Sequence, residues 1–273
     1  MRNQSEMAEQ PKFAGELEFV KELASEAAAV AISRAKRVTP VEKANLSFVT
    51  DLDKDLEQLI RRRLGERYPD DRLTGEEYAA EGGSGPRRWS IDPIDGTANL
   101  VHGLLLWAIS IGLIENGQPV LGVIAIPPLA ELYWAVKGQG AWLDGKQLQA
   151  RDAESIHDQD NICLATSAMR AIDTRSFPGR IRGLGSACCE QVFVAANRLQ
   201  ACTFLGEATH DIAAGVVISS EAGCVFGTLG GERLDPAEMV RRTPITTPTF
   251  VAPPRRLQVL ERLARPLPPR EGS

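Results

Sequence analysis

Trp89-Ser90-Ile91-Asp92-Pro93-Ile94-Asp95-Gly96-Thr97-Ala98-Asn99 is the most informative run in the chain. A short apolar strand, Trp89 to Asp92, ends in two carboxylates three residues apart, with Pro93 holding the backbone in a turn. Gly96 and Thr97 then start a short helix. Two acids placed so closely repel one another unless a cation sits between them. The helix N-terminus just beyond offers backbone N–H groups to an anion. One loop therefore has the means to hold both a hard cation and a phosphate oxygen. Taken alone, the same turn is also explained by Asp92 and Asp95 capping nearby N–H groups.

On the N-terminal side, Leu17, Val20, Ala24, Ala27, Ala28 and Ala31 recur at helical spacing between Phe13 and about Arg37. A second helix is expected from Asp51 to Arg67, with Leu52, Leu56, Leu59, Ile60 and Leu64 on its buried face. Thr50 followed by Asp53 fits a capping box at its start. Pro69 to Arg88 reads as a charged, Gly- and Pro-containing loop that carries Gly75-Glu76-Glu77. On the C-terminal side, Leu106–Ile114, Val120–Ile126 and Leu132–Val136 read as strands. Asn116-Gly117 and Asp144-Gly145 supply hairpin turns. Strand-like Ile162 to Thr166 opens a second half, in which Ser186–Asn197 and Asp211–Ala222 read as helices, the latter stopped by Gly223. Gly138-Gln139-Gly140 lacks the third glycine and following helix of a dinucleotide loop and is read as a tight turn between strands. Helices interleaved with a meander of strands predict an α+β layered sandwich. The expected division is an N-terminal lobe over 13–150 and a C-terminal lobe over 151–265, with flexible termini at 1–12 and 266–273.

The 273 residues are enough for one substantial core, and 43% hydrophobic with 25% charged residues is an ordinary globular balance. With 31 Lys+Arg against 36 Asp+Glu the net charge is −5. That disfavours a surface that tracks nucleic-acid phosphates. The most apolar stretch, Leu104 to Ile114, has 11 residues, against roughly 20 needed to cross a bilayer, so no membrane span is expected. Five cysteines without a C-x-x-C pair fit free, buried thiols in a reducing cytoplasm.

Other acids matter only if they converge on Asp92 and Asp95. Glu76 and Glu77 in a loop, Asp211 at a helix start and Asp53 in a capping box each have an ordinary explanation in isolation. Their joint pattern is what stands out. Gly75-Glu76-Glu77, Asp92 through Asn99, and Asp211-Ile212-Ala213-Ala214-Gly215 leading to Glu221-Ala222-Gly223 together resemble the inositol monophosphatase family. Val49-Thr50 with Asp53 is similar to that family's V-T-x-x-D element. Gly185-Ser186-Ala187 followed by Val194 to Leu199 is similar to its G-S-A segment and helix. The resemblance runs in order over about residues 13–265.

The resemblance implies a layered αβαβα sandwich of the inositol monophosphatase and fructose-1,6-bisphosphatase type, and Mg²⁺-dependent hydrolysis of a phosphomonoester. It makes Glu76, Asp92, Asp95, Asp211 and the carbonyl of Ile94 metal ligands. Oxygen donors of this kind suit a hard cation, two or three Mg²⁺ per site, with Mn²⁺ as a substitute. It assigns Glu76 and Thr97 to orienting and deprotonating a water, and Asp53 to holding Thr97. Gly96, Thr97, Gly185, Ser186, Ala187, Glu190 and Glu207 become substrate contacts. It also implies a homodimer and sensitivity to Li⁺, and it matches Lys43 to a basic residue with one residue's difference in spacing.

Departures from the pattern bear on the substrate. Phe204 stands where relatives that hydrolyse inositol phosphates have a hydroxyl-binding acid, and Glu207 is only four residues before Asp211. Thr209-His210 replaces the usual Pro-Trp, giving His210 either a packing role or a substrate contact. The expected substrate is inositol monophosphate or a similar polyol or sugar phosphate. Alternatives are 3′(2′)-phosphoadenosine 5′-phosphate, fructose 1,6-bisphosphate and histidinol phosphate. A non-catalytic, metal-dependent binding or regulatory protein is the reading from a different class.

Overall fold

The capping box at Thr50 forms as the sequence predicts. Thr50 N–H and Oγ1–H both donate to Asp53 Oδ2, and Asp53 N–H returns to Thr50 Oγ1. It opens a helix that runs from Asp51 to Arg67. This is seen in a computed structural model that describes residues 11–42 and 48–267. Lys43 and most of the two expected flexible termini lie outside the described residues. The helices are α1 (Ala14–Arg34), α2 (Asp51–Arg67), α3 (Thr97–Val101), α4 (Thr166–Met169), α5 (Ala187–Ala195), α6 (Thr209–Glu221), α7 (Pro236–Arg241) and α8 (Pro254–Leu263).

The centre is an eight-stranded sheet. Its spatial order is Lys146–Leu148, Ala141–Leu143, Glu131–Val136, Gln118–Ile126, Ala108–Glu115, Arg87–Asp95, Arg72–Gly75, Glu81–Gly82. Neighbours are antiparallel, except that Arg72–Gly75 runs parallel to Arg87–Asp95. Both hairpin turns take the left-handed backbone that Asn-Gly and Asp-Gly pairs favour, with φ of 52° and 75° at Asn116-Gly117 and 47° and 81° at Asp144-Gly145. The Gly138–Gly140 segment is a turn between strands, and its two glycine amides donate to the Glu221 carboxylate at 2.8 and 2.9 Å.

Alternation along the strands sorts side chains onto two faces. Trp89, Ile91, Ile109 and Ile111 pack with Leu23 of α1 and Leu56 and Ile60 of α2. On the other face, Ile124, Ile126 and Tyr133 pack with Val192 of α5 and Ile212 and Val216 of α6. Beyond α5 and α6 lies a four-stranded sheet, ordered Cys202–Phe204, Thr249–Ala252, Val225–Thr228, Arg233–Leu234. Its outer face is covered by Leu257 and Leu260 of α8. The order of layers is αβαβα.

Close approach of α6 to the sheet depends on Gly122. A Cβ built there would lie 2.3 Å from the Ala214 carbonyl oxygen and 2.7 Å from its Cα. Only a residue without a side chain lets the helix backbone rest on the strand.

Three expectations are corrected. Pro69–Arg88 is not all loop, because Arg72–Gly75 and Glu81–Gly82 are strands. With Leu73 the one apolar residue of the first, it carries no readable alternation, and its pairing with Arg87–Asp95 is tertiary. The strand expected at Trp89–Asp92 extends over Arg87–Asp95. Pro93 and Ile94 bulge out, and the ladder resumes where Asp95 faces Ala108. A bulge absorbs a proline that cannot donate to the ladder. Likewise the strand expected over Ile162–Thr166 stops at Cys163, and α4 begins at Thr166.

Candidate functional site

Four segments meet at one end of the large sheet. The bulge in Arg87–Asp95 turns Asp92 and Asp95 inward, where they are 1% and 8% exposed. Asp211, third residue of α6, accepts from the N-cap amide of Ala208 and is carried to the same place by the seating of α6 on the sheet. Carboxylate oxygens of Asp92, Asp95 and Asp211 all lie within 4.8 Å of one another. A second set, Glu76, Asp92 and His210, satisfies the same limit. Acids from residues 76 to 211 thus converge, as the sequence requires of a cation site.

The surroundings hold these acids rigidly. Asp95 accepts from Ser186 Oγ, from Cys188 N–H at 2.7 Å and from Ala187 N–H at 3.3 Å. The Gly185-Ser186-Ala187 segment therefore anchors Asp95 at the start of α5, with the Ser186 hydroxyl and Ala187 amide engaged there. Thr97 Oγ1 sits between Asp53 Oδ1 at 2.8 Å and the Ile94 carbonyl at 3.0 Å. Since the capping box orients Asp53, the start of α2 fixes the Thr97 hydroxyl.

α2 contributes more than the sequence suggested. Asp53, Glu57 and Arg61, one helical turn apart, form a buried polar stripe beside the Leu52/Leu56/Ile60 face. Glu57 accepts from Arg61 Nε at 2.7 Å and from the Glu77 amide at 2.7 Å, and Arg61 donates to the Tyr78 carbonyl at 2.9 Å. The loop bearing Glu76 is tied to α2 in this way. Gly75 makes room for the tie, since a Cβ there would lie 2.1 Å from Glu57 Oε1. The i, i+4 spacing of Asp53, Glu57 and Arg61 was the available signal.

Burial first, and the neighbouring acids Glu76, Asp95, Asp211 and Asp53 after it, raise the Asp92 carboxyl well above the ordinary carboxylate range. Burial and Asp211 push Asp95 up to about 7. Burial also raises Asp211 and Asp53. Such a set resists full ionisation by itself and fits a counter-charge of dications. All its donors save His210 are oxygens.

Beside Asp95 and Asp211 opens a cavity of about 850 Å³, walled by Ser186, Glu190, Glu207 and Arg170 among others. Glu190 is 3% exposed and accepts from the Leu184 amide at 3.2 Å, so it also braces the 184–186 turn. Glu207 Oε2 is buried with no hydrogen-bond partner among the described residues, and burial pushes its carboxyl up to about 7. Phe204 is fully buried in the core, away from any role as a hydroxyl acceptor. Asn99 Nδ2 donates to the Leu106 and Leu184 carbonyls at 2.5 and 2.7 Å, joining the two halves of the rim.

The matching family and the names of the chain's relatives agree on one class of protein, a phosphatase, that is, a phosphomonoester hydrolase. The chain belongs to the inositol monophosphatase family, whose model matches residues 15–264. It is 32% identical over 216 residues to a fructose-1,6-bisphosphatase/inositol-1-monophosphatase of Aquifex aeolicus, covering 76% of this chain and 81% of that one. It is 32% identical over 239 residues to a histidinol-phosphatase of Streptomyces coelicolor, covering 81% and 89%. Among solved structures it is similar to the Thermotoga maritima IMPase, with a TM-score of 0.79 and 25% identity over 91% of this chain and 96% of that one.

Proposed function

We propose that the chain hydrolyses inositol monophosphate or a similar small polyol or sugar phosphate, with Mg²⁺ as cofactor. The observation that carries this is the convergence of Asp92, Asp95 and Asp211 oxygens within 4.8 Å, with Asp95 and Asp211 lining the 850 Å³ cavity. Glu76, Asp92, Asp95, Asp211 and the Ile94 carbonyl would hold two or three Mg²⁺, or Mn²⁺ in its place. Held by these residues, the dications would supply a water of lowered pKa and positive charge against the phosphate and leaving oxygen. Thr97 donates its hydroxyl proton toward Asp53 and Ile94 and keeps lone pairs to accept from the attacking water. Glu76 takes that water's proton. The Gly96 and Thr97 amides, at the start of α3, bind phosphate oxygens. Ser186 and Ala187 act by fixing Asp95. Glu207, with Glu190 behind it, offers a carboxylate to a substrate hydroxyl, a form of recognition that discriminates strongly.

Histidinol phosphate and fructose 1,6-bisphosphate are second readings, favoured by the names of the relatives above. The deciding experiment is phosphate release from a panel of these esters and 3′(2′)-phosphoadenosine 5′-phosphate, with Asp95→Asn as control. Turnover of one polyol phosphate, lost in the variant while the fold persists, supports the proposal. Dication binding without release from any ester would instead favour a regulatory binding protein. Millimolar Li⁺ should inhibit turnover. Exposed Ile32, Leu104 and Leu105 around an apolar cleft support a homodimer, which sedimentation of a Leu105→Glu variant would test. No helix among the described residues is long and apolar enough to cross a membrane. Five free, buried thiols support a cytoplasmic location.

A further inference from the structure

His210 stands where the family resemblance places tryptophan, and its position is not that of a packing residue. It is the second residue of α6, its side chain is 21% exposed, and Nε2 lies 3.4 Å from Asp211 Oδ1. An imidazole nitrogen, a Glu76 oxygen and an Asp92 oxygen all fall within 4.8 Å of one another. Donors held about 2.0–2.3 Å from one ion lie at most about 4.6 Å apart, so sub-ångström side-chain movement suffices. This set shares Asp92 with Asp95 and Asp211, so the two sets describe neighbouring positions bridged by one carboxylate. The imidazole also borders a cavity of about 300 Å³ with Thr74, Ser90 and Thr209, which leaves room for exchangeable ligands.

We propose that His210 is a nitrogen ligand to a dication that it shares with Glu76 and Asp92, and that it shifts the metal preference of the centre from Mg²⁺ toward transition dications. The inference rests on the reading of the acidic cluster as a dication site. Mg²⁺ seeks six hard oxygens in a near-ideal octahedron and gains little from imidazole. Imidazole favours the first-row transition dications over Mg²⁺, weakly for Mn²⁺ and increasingly in the order Mn²⁺ < Fe²⁺ < Co²⁺ < Ni²⁺. The alternative role, a histidine that merely hydrogen-bonds Asp211, puts no nitrogen on the metal.

The test uses the full chain loaded with Mn²⁺. Pulsed electron paramagnetic resonance of the wild type should show ¹⁴N modulation from a directly bound imidazole, and His210→Gln should abolish it. Titration followed by the free Mn²⁺ signal, with Mg²⁺ as competitor, should show Mn²⁺ affinity falling by about tenfold in His210→Gln and His210→Trp. Mg²⁺ affinity should change far less. Mn²⁺ bound without ¹⁴N modulation, or an unchanged Mn²⁺:Mg²⁺ affinity ratio, overturns the assignment of His210 and leaves the phosphatase reading standing. Failure of the wild type to bind Mn²⁺ at all overturns both. The wild-type spectrum decides the question even if a variant does not fold.

Discussion

Gly122→Ala puts a methyl carbon 2.3 Å from the Ala214 carbonyl oxygen, where ordinary contact begins at 3.4 Å, leaving a shortfall of about 1 Å. The methyl is bonded directly to the backbone of the strand Gln118–Ile126 and the oxygen belongs to the backbone of α6, so relief requires the helix to lift. Overpacking of this kind costs about 1–3 kcal/mol. For a chain of this size that is a fall of roughly 2–5 °C in melting temperature. Asp211 lies one turn before Ala214 on α6 and moves with it. A misplacement near 1 Å at a reacting centre can cost about 10²-fold in kcat. The assay is a pair of thermal melts and initial rates of phosphate release. Gly15→Ala, whose added carbon meets nothing within 4 Å, serves as control. A Gly122→Ala protein that melts within about 1 °C of the wild type and keeps its kcat would refute the argument that this contact sets the position of α6.

Further expectations follow from the supporting groups. Glu57→Ala strips Arg61 of its buried partner, and unfolding in urea should show a loss of about 3–5 kcal/mol; a loss under about 1 kcal/mol would mean that Glu81 and the Tyr78 carbonyl suffice for Arg61. Thr97→Val keeps the shape of the side chain but removes the hydroxyl between Asp53 and Ile94, so kcat should fall by about 10²–10⁴, with a loss of about 1–3 kcal/mol in stability because buried Asp53 loses a donor. Unchanged turnover would remove Thr97 from the mechanism. Glu207 has its carboxyl raised to about 7 by burial, so between the unfolded value and 7 the folded chain holds the extra proton. Stability then declines as pH rises through that window, and Glu207→Gln should gain on the wild type by about 1–3 kcal/mol between pH 5 and 8. A stability difference that is flat with pH would place Glu207 in contact with solvent or an undetected donor.

Local chemistry explains which parts of this structure could be read in advance. The bounds of α2 follow from one side-chain capping box and a regular apolar face, and both hairpins follow from Asn-Gly and Asp-Gly pairs. These signals act over a few residues. The strand Arg72–Gly75 has no such signal, because its order comes from lying beside Arg87–Asp95. The bulge at Pro93–Ile94 was legible as a turn but not as an interruption within a longer ladder. The acids of the centre were identified by pattern, whereas their holders were not: nothing local links Glu57 to the Glu77 amide or Ser186 to Asp95. His210 was visible as a departure, but its approach to Glu76 and Asp92 depends on how far α6 descends onto the sheet.

That α6 carries Asp211 while the bulged strand carries Asp92 and Asp95 has a bearing on how the polypeptide acquires its ions. A nascent chain that has not yet added residues 209–221 possesses an incomplete cage, with the wall nearest Asp95 missing. Tight capture of dications would then wait until the late helix docks, and ions held there would tie the early and late parts of the chain together, with a strength set by ion concentration. Chelation should therefore loosen the seam between α6 and the large sheet before it disturbs the packing of α1 and α2.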